Sequence, residues 1–330
     1  MKALFEVEYP IKRVDTFLSQ RLDIPKNQIT HLIKNSLVFI NDKPCKKGGE
    51  NLVLGDKVAI FDPILDLSEQ KRSYIDIDIS IIYEDSEVLV LNKPPFVVVH
   101  NAPSVKEPTL VDWLKSKGFS LSTLSGEQRF GIVHRLDKET SGAIVIAKTN
   151  NAHTKLSDQL QSREMGRYYL AIIDGRLGER KTIECQIGRN PNNRLKMISL
   201  DRIRQKNIPS RHSKSDFVPL LGGKNGDMEL IGAKLYTGRT HQIRVHLESI
   251  SRHIIGDKLY GYRGNDNIRV MLHAYLMYFI HPSTGKKMFF KAPVFDDMLE
   301  FLNQNFDKAG LDEVIAEDFI LHRFNTCSPH

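Results

Sequence analysis

Residues 134–147 read His-Arg-Leu-Asp-Lys-Glu-Thr-Ser-Gly-Ala-Ile-Val-Ile-Ala, a polar turn that leads directly into an apolar run. The apolar run, from Gly142 to Ala147, predicts a buried β-strand. Asp137 lies between basic residues just before that strand, where a side chain is held rigidly at the edge of a sheet. An aspartate in such a turn often does no more than stabilise the turn. A carboxylate beside arginine, however, stays ionised and can act as a nucleophile, so Asp137 is a candidate catalytic residue.

The segments around this stretch mix helical and strand patterns. Short apolar runs predict strands at 88–91, 97–99, 168–173, 270–280 and 287–291. Apolar residues at helical spacing predict a helix within 108–118 and another that begins at Thr240 as its N-cap. Because strands and helices do not follow a regular βαβ order, we predict an α+β fold with a central mixed β-sheet flanked by helices.

The N-terminal residues predict a small separate module. Helical spacing indicates helices at 13–22 and 26–36, and apolar runs at 37–40 and 58–61 indicate strands of a small sheet. A length of 330 residues also favours about two domains. We therefore predict a module at 1–65, a linker at 66–80, a second domain at 81–305 and a C-terminal tail at 306–330.

The net charge of +7 is concentrated in particular segments. Residues 181–215 contain nine lysines and arginines against two acidic residues. Such a balance is found in many proteins without a charged partner, but focused positive charge favours a polyanion such as nucleic acid.

Three cysteines, Cys45, Cys185 and Cys327, are too far apart for a zinc site or a disulfide framework. This usage favours a reducing compartment. The N-terminus has no pattern of a secretory signal, and no apolar run is long enough to span a membrane. We expect a cytoplasmic protein that does not associate with a membrane.

A second polar cluster lies at 237–246, Thr-Gly-Arg-Thr-His-Gln-Ile-Arg-Val-His. Its two histidines are five residues apart, which does not suit a zinc pair on one helical face. Arg244 has two possible partners, Glu248 one helical turn away or Asp137, and the spacing alone does not choose between them. No phosphate-binding loop or dinucleotide fingerprint is present, so ATP and NAD are not predicted.

Together these segments resemble the RluA family of pseudouridine synthases, from about Ile81 to Pro293. Residues 134–142 match the family's signature almost without change. Five more segments resemble further motifs of the family, in the same order: 92–100, 167–171, 238–246, 256–261 and 272–274. The chain departs from the family at Pro95-Phe96, where Ala-Gly is usual, at Ile254, where proline is usual, and at Val294-Phe295, where Leu-Pro is common.

The first module is similar to the alpha-L RNA-binding module of a small-subunit ribosomal protein. Residues 13–18 match its beginning, whereas Lys26-Asn27 and Ser36 depart from its usual sequence. Without this similarity, the segment would predict no more than a small packing domain with a basic face.

These resemblances imply the pseudouridine synthase fold and the isomerisation of uridine in RNA to pseudouridine, an intramolecular transfer that needs no cofactor and no metal. They place the catalytic aspartate at Asp137, the tyrosine at Tyr169 and the arginine that pairs with the aspartate at Arg244. Tyr169 is alternatively a tyrosine of the strand core. The implied RNA contacts are Arg135, Arg239, His241 and Leu272 in the second domain and Arg13, Lys26, His31 and Lys34 in the first. We expect a monomer that acts on large-subunit ribosomal RNA, with transfer RNA as the second choice.

Two other functions remain open at this point. One is a non-catalytic RNA-binding protein of ribosome assembly. The other is a hydrolase that cleaves the glycosidic bond, for which a second carboxylate is needed; Glu139 would serve only if it shared a pocket with Asp137.

Overall fold

The computed structural model describes residues 3–22, 26–61, 75, 77–101, 105–126, 129–202, 208–264 and 267–324, without the side chains of residues 27, 28 and 31. The chain divides into two compact units, 1–75 and 76–330. Most of the predicted linker at 66–80 lies outside the described residues, as does Cys327. In the described part, no helix has both the length and the apolar character needed to cross a membrane.

The first unit contains two helices and a small antiparallel sheet. Its elements are β1 (Ala3–Glu6), α1 (Val14–Leu22), α2 (Lys26–Lys34), β2 (Val38–Ile40), β3 (Lys43–Pro44) and β4 (Lys57–Ile60). The sheet order is β1-β4-β2-β3, and β1 was not predicted from the sequence. Val14, Leu18 and Ile29 are fully buried in the shared core. Asn41 and Asp42 join β2 to β3 with positive φ angles of 50° and 63°, which these two residue types tolerate in tight hairpin turns.

The second unit holds the larger sheet and six further helices within the described residues. Its strands are β5 (Ser80–Glu84), β6 (Val88–Lys93), β7 (Ser141–Ala147), β8 (Gly166–Asp174), β9 (Lys181–Arg189), β10 (Met197–Ser199), β11 (Ser210–Gly222), β12 (Met228–Leu235), β13 (Leu272–Ile280) and β14 (Lys287–Lys291). Its helices are α3 (Leu110–Ser116), α4 (Asn150–Ser162), α5 (Gln242–Ser249), α6 (Asp296–Asn305), α7 (Lys308–Val314) and α8 (Glu317–Arg323).

These strands form one sheet in the order β10-β9-β11-β12-β8-β13-β7-β6-β5, and β14 also pairs with β13. Among the described strand pairs, only β7 and β13 run parallel, which makes the sheet mixed. Strand β7 is buried along its whole length, as its apolar sequence predicts, and Ala152 and Leu156 of α4 pack on the core around it. The predicted α+β class with a mixed sheet and flanking helices is confirmed.

Three local expectations differ from the structure. Residues 97–99 do not form a strand, because the carbonyls of Val98 and Val99 accept hydrogen bonds from the first turn of α3. Thr240 does not cap α5: the helix begins one residue later, and His241 is its N-cap with a φ of 57° and no capping bond from its side chain. Residues 308–323, within the segment predicted as a tail, form α7 and α8, whose apolar side chains are buried.

The parallel contact between β7 and β13 fixes where the Asp137 turn ends. Ser141 and Gly142 pair with His273 and Ala274. The Ser141 hydroxyl lies 2.8 Å from Nδ1 of the buried His273. Gly142 has a φ of 113°, and a Cβ at this position would lie 2.6 Å from the backbone nitrogen of Ala274 and closer still to its oxygen. A glycine is therefore required at the end of the turn, both for its conformation and for the close approach of the two strands.

We predict that Gly142→Ala lowers the free energy of unfolding of the second unit by about 3 kcal/mol or more, because backbone strain and overpacking add. Gly118→Ala is the matched control: Gly118 also has a positive φ, of 77°, but faces open space. The control should lose only about 1–2 kcal/mol. Trp113, the single tryptophan, is buried in the second unit, so its fluorescence during urea denaturation reports on that unit. Equal losses of unfolding free energy in the two variants would contradict the close approach of Gly142 to the backbone of Ala274.

Candidate active site

A cleft of about 780 Å³ opens in the second unit. Its lining is rich in arginine and histidine, and Asp137 is the sole carboxylate among the described residues that line it. All the site residues predicted for the second unit line this cleft: Arg135, Asp137, Tyr169, Arg239, His241, Arg244 and Leu272. Residues more than 100 positions apart in the sequence are thus brought together around one carboxylate in a positively charged cleft.

The predicted RNA contacts of the first unit are not part of this cleft. Lys26 and Lys34 are exposed on α2. Arg13 donates two hydrogen bonds to the buried carboxylate of Asp15, at 3.0 and 2.6 Å. Its Nε and Nη2 are therefore occupied within the first unit. The side chain of His31 lies outside what the structure describes.

The Asp137 turn is tied to the loop after β6 by a buried lysine. Lys93 is completely buried, and its ammonium donates to the carbonyls of Pro94, Val97 and Lys138 at 2.7, 3.0 and 3.3 Å. Burial lowers the pKa of Lys93 to about 7, against the opposing effect of the Asp137 charge. Lys93 therefore joins the two loops through their backbone carbonyls.

Arg244 lies between two carboxylates. Its Nε and Nη2 each donate to Asp257 at 2.7 Å in a buried bidentate pair, and its Nη1 lies 3.8 Å from Oδ2 of Asp137. The contact with Asp137 is therefore through Nη1 alone, because Asp257 occupies the Nε and Nη2 edge of the guanidinium. Burial disfavours the charged guanidinium, but the Asp257 hydrogen bonds and charge outweigh this effect and raise the pKa of Arg244 above its ordinary value. The other open alternative, Glu248, pairs with Lys196 instead.

Tyr260 contacts both Arg244 and His241 near Asp137. The guanidinium of Arg244 lies 4.7 Å from the centre of its ring, a cation–π contact. Its hydroxyl lies 2.9 Å from Nδ1 of His241, whose Nε2 is 4.0 Å from Oδ2 of Asp137. Burial lowers the pKa of His241, while the Asp137 charge opposes this shift. The imidazole therefore approaches Asp137 with its outer nitrogen while its inner nitrogen is held by Tyr260.

The turn before α5 is held on strand β11 by Gln242. The Gln242 amide nitrogen donates to the carbonyl of Lys214 and to the hydroxyl of Ser215. Its amide oxygen accepts from Thr237 and from the backbone of Arg239. This network sets the position of Arg244 two residues further along the helix.

Tyr169 lies on β8 and is only 5% exposed, although it lines the cleft. Burial raises the pKa of Tyr169 to about 12; the Arg167 charge opposes this shift and the Asp137 charge adds to it. At neutral pH the phenol is therefore protonated. An uncharged aromatic ring beside the carboxylate is suited to contact a planar base.

Asp257, Tyr260, Lys93 and Arg167 were not predicted as site residues. All four lie in segments that resemble family motifs, but no role was predicted for any of them. A buried aspartate in a polar segment could have been proposed as a partner for Arg244, since a buried arginine needs one. Nothing in local spacing shows that Lys93 reaches the Asp137 turn.

Comparison with known proteins points to one family. Residues 87–249 match the family described as RNA pseudouridylate synthase. An uncharacterized RNA pseudouridine synthase of Helicobacter pylori strain J99 is 54% identical over 328 residues, which cover 98% of this chain and 99% of the relative. The ribosomal large subunit pseudouridine synthase D of Neisseria meningitidis serogroup A is 33% identical, covering 93% of this chain and 82% of the relative. The solved structure of human RNA pseudouridylate synthase domain containing 1 aligns with a TM-score of 0.52 at 26% identity, covering 69% of this chain and 94% of that chain.

The two carboxylates near Arg244 should differ sharply in their effect on stability. We predict that Asp257→Ala lowers the free energy of unfolding by about 3–5 kcal/mol, because it leaves a buried guanidinium without its partner. Asp137→Ala should change it by less than about 1 kcal/mol, because Asp137 lies at the longer distance and Arg244 keeps both hydrogen bonds to Asp257. Urea denaturation followed by Trp113 fluorescence measures both. Similar losses of unfolding free energy for the two variants would contradict the conclusion that Asp257, and not Asp137, is the main partner of the buried Arg244.

Proposed function

This chain belongs to the RNA pseudouridine synthase family and is an RNA-modifying enzyme; from that premise we propose that it acts on uridines of large-subunit ribosomal RNA, with Asp137 as its nucleophile. The observation that carries the assignment of Asp137 is its position as the sole carboxylate among the described lining residues, 3.8 Å from a buried arginine. Arg244 places a positive charge beside this carboxylate, and a carboxylate nucleophile reacts in its ionised form.

The isomerisation breaks the bond between C1′ of the ribose and N1 of uracil, turns the base and forms a bond from C1′ to C5. The proton on C5 leaves, and N1 gains one, so the reaction involves no oxidation or reduction. Asp137 acts by attack on the ribose or the base, or by removal of a ribose proton. Each of these routes begins from the ionised carboxylate.

Tyr169 stacks on the uracil in this proposal, as its buried position in the cleft allows. Arg135 is exposed beside Asp137 and enters the RNA stack as the uridine leaves it. This insertion offsets part of the cost of unstacking, which is about a few kcal/mol. Arg239, His241 and Leu272 complete the contacts to the nucleotide.

The choice of ribosomal RNA rests on two supporting observations. A relative that covers most of the chain is named a ribosomal large subunit pseudouridine synthase. The first unit has the two helices and small sheet expected of the proposed alpha-L module, and its exposed lysines provide a second grip on a large structured RNA. Transfer RNA is the second choice of substrate, and the proposed enzyme acts as a monomer of the RluA type in the cytoplasm.

The basic stretch at 181–215 contributes less free charge than its composition indicates. Lys181, Lys196 and Lys214 form ion pairs with glutamates. Arg211 is the arginine of this stretch that lines the cleft, and Arg239 lines it from outside the stretch. We therefore assign the grip on the RNA backbone mainly to the cleft arginines.

The geometry does not favour a glycosidic hydrolase. That chemistry commonly uses two carboxylates on either side of the bond that breaks. Glu139 is absent from the described residues that line the cleft, which leaves Asp137 without a second carboxylate there.

We predict that the wild-type protein releases tritium from ribosomal RNA labelled at C5 of uridine, and that Asp137→Ala releases none while its affinity for the RNA stays within about twofold. Release by the variant would contradict the assignment of the nucleophile. Release by wild type from labelled transfer RNA but not from ribosomal RNA would show that transfer RNA is the substrate instead. Free uracil in the reaction would indicate a hydrolase.

The first unit should contribute electrostatically to RNA binding. We predict that the double variant Lys26→Ala and Lys34→Ala binds ribosomal RNA more weakly and reduces the slope of log affinity against log salt by roughly 1.5, as expected for two lost phosphate contacts. Lys57→Ala, which removes an exposed lysine from β4 of the same unit, is the control and should leave the slope nearly unchanged. An unchanged slope in the double variant would contradict the proposed contacts of Lys26 and Lys34 with RNA phosphates.

A further inference from the structure

Arg167 is a buried arginine in the wall of the cleft. Its side chain is 6% exposed, and it forms no ion pair with any carboxylate in the described part of the chain. Its Nε–H meets no acceptor among the described residues. A buried cation is ordinarily paired, so an unpaired one beside a substrate cleft indicates that the substrate supplies the complementary charge.

The surroundings of Arg167 are built to admit its guanidinium. A Cβ on Gly238 would lie 2.8 Å from Nη1 of Arg167, so the absence of a side chain at Gly238 makes room for the cation. Arg167 and Tyr169 are two residues apart on β8 and therefore point to the same face of the sheet. The guanidinium thus lies next to the ring proposed to stack on uracil.

A second buried donor lies in the same wall. Nε2 of His134 accepts a hydrogen bond from the backbone of Val145 at 3.1 Å, so the proton of the neutral ring is on Nδ1. That nitrogen also meets no acceptor among the described residues. Burial, with the charge of Arg167, lowers the pKa of His134 to about 3, which keeps the ring neutral and its Nδ1–H a donor.

We propose that the Arg167 guanidinium, with His134 as a second donor, binds the carbonyl oxygens of the uracil and stabilises the negative charge that the base carries after its bond to C1′ breaks. This inference rests on the proposed function. The electron pair of the C1′–N1 bond passes to the departing uracil, where it spreads over N1 and the two carbonyl oxygens. The charge is removed when C5 uses an electron pair to bond to C1′; the C5 proton then leaves and N1 gains a proton.

Depth in the cleft favours the base over a phosphate. Arg167, His134 and Tyr169 are each more than nine-tenths buried. A flat base can enter such a space, whereas the charged backbone stays near solvent, where the exposed arginines Arg135 and Arg211 line the cleft. A uracil ring that stacks on Tyr169 directs its carbonyl edges sideways, toward the donors in the same wall of the cleft.

The test compares two transcripts of large-subunit ribosomal RNA, one with uridine and one with 5-fluorouridine, under single-turnover conditions. Fluorine makes the departing base a weaker base, so its loss depends less on a stabilising cation. Because the fluorinated base has no C5 proton to lose, the conversion followed on both transcripts is the disappearance of the N1-linked nucleoside. We expect Arg167→Met to slow conversion of the uridine transcript by about 100-fold or more, the usual effect of removing a donor to a developing anion. On the fluorinated transcript the deficit should be at least about tenfold smaller, with RNA affinity near that of wild type in both cases.

Arg163→Met is the matched control. Arg163 also lines the cleft but is exposed at the end of α4, so its loss should leave the ratio of the two rates at the wild-type value. The melting temperature of Arg167→Met should stay the same or rise, because an unpaired buried cation is removed; a purely structural arginine would give a fall. Equal deficits on both transcripts, or a deficit that appears only as weaker RNA binding, would overturn the inference and indicate a structural role or a phosphate contact. Wild-type inactivity on both transcripts would instead reject the proposed function, and the inference with it.

Discussion

The buried ion pair between Arg244 and Asp257 is the interaction on which the site depends. Two hydrogen bonds of 2.7 Å and the ring of Tyr260 hold the guanidinium in one orientation. The remaining nitrogen then faces Asp137, which keeps its own oxygens available at 3.8 Å. If Asp137 had taken the bidentate edge, the proposed nucleophile would also be the main support of a buried cation. A second aspartate supports the cation instead and leaves Asp137 for the chemistry that we propose.

The same separation appears in the turn that carries Asp137. Lys93 binds the carbonyl next to the aspartate, and Gly142 allows β7 to begin against β13. The turn is therefore positioned by backbone contacts on both sides, and the carboxylate side chain takes little part in holding it. Around it the cleft presents arginines and histidines, and the described lining offers no second carboxylate. One fixed negative charge in a positive cleft suits a reaction on RNA that needs a nucleophile and no group donor.

The sequence predicted what depends on local pattern. The apolar run 142–147 is a buried strand, and the polar turn before it is what indicates Asp137 as a candidate. Expectations failed where a distant partner decides the outcome. Val98 and Val99 have strand-forming side chains, yet their carbonyls serve α3. The edge of Arg244 is taken by Asp257, 13 residues further on. The burial of Arg167 depends on Gly238, more than 70 positions away, and no local spacing could reveal it.

The most direct test of the account is the amount of pseudouridine formed in ribosomal RNA during a single turnover, measured by nucleoside chromatography for wild type, Asp137→Asn and Asp257→Asn. We expect no product with Asp137→Asn, an isosteric change that leaves Arg244 bound to Asp257. We expect slow but measurable formation with Asp257→Asn, in which Arg244 is held less firmly while Asp137 remains. Product from Asp137→Asn at a rate near that of wild type would contradict the central claim that this carboxylate performs the chemistry.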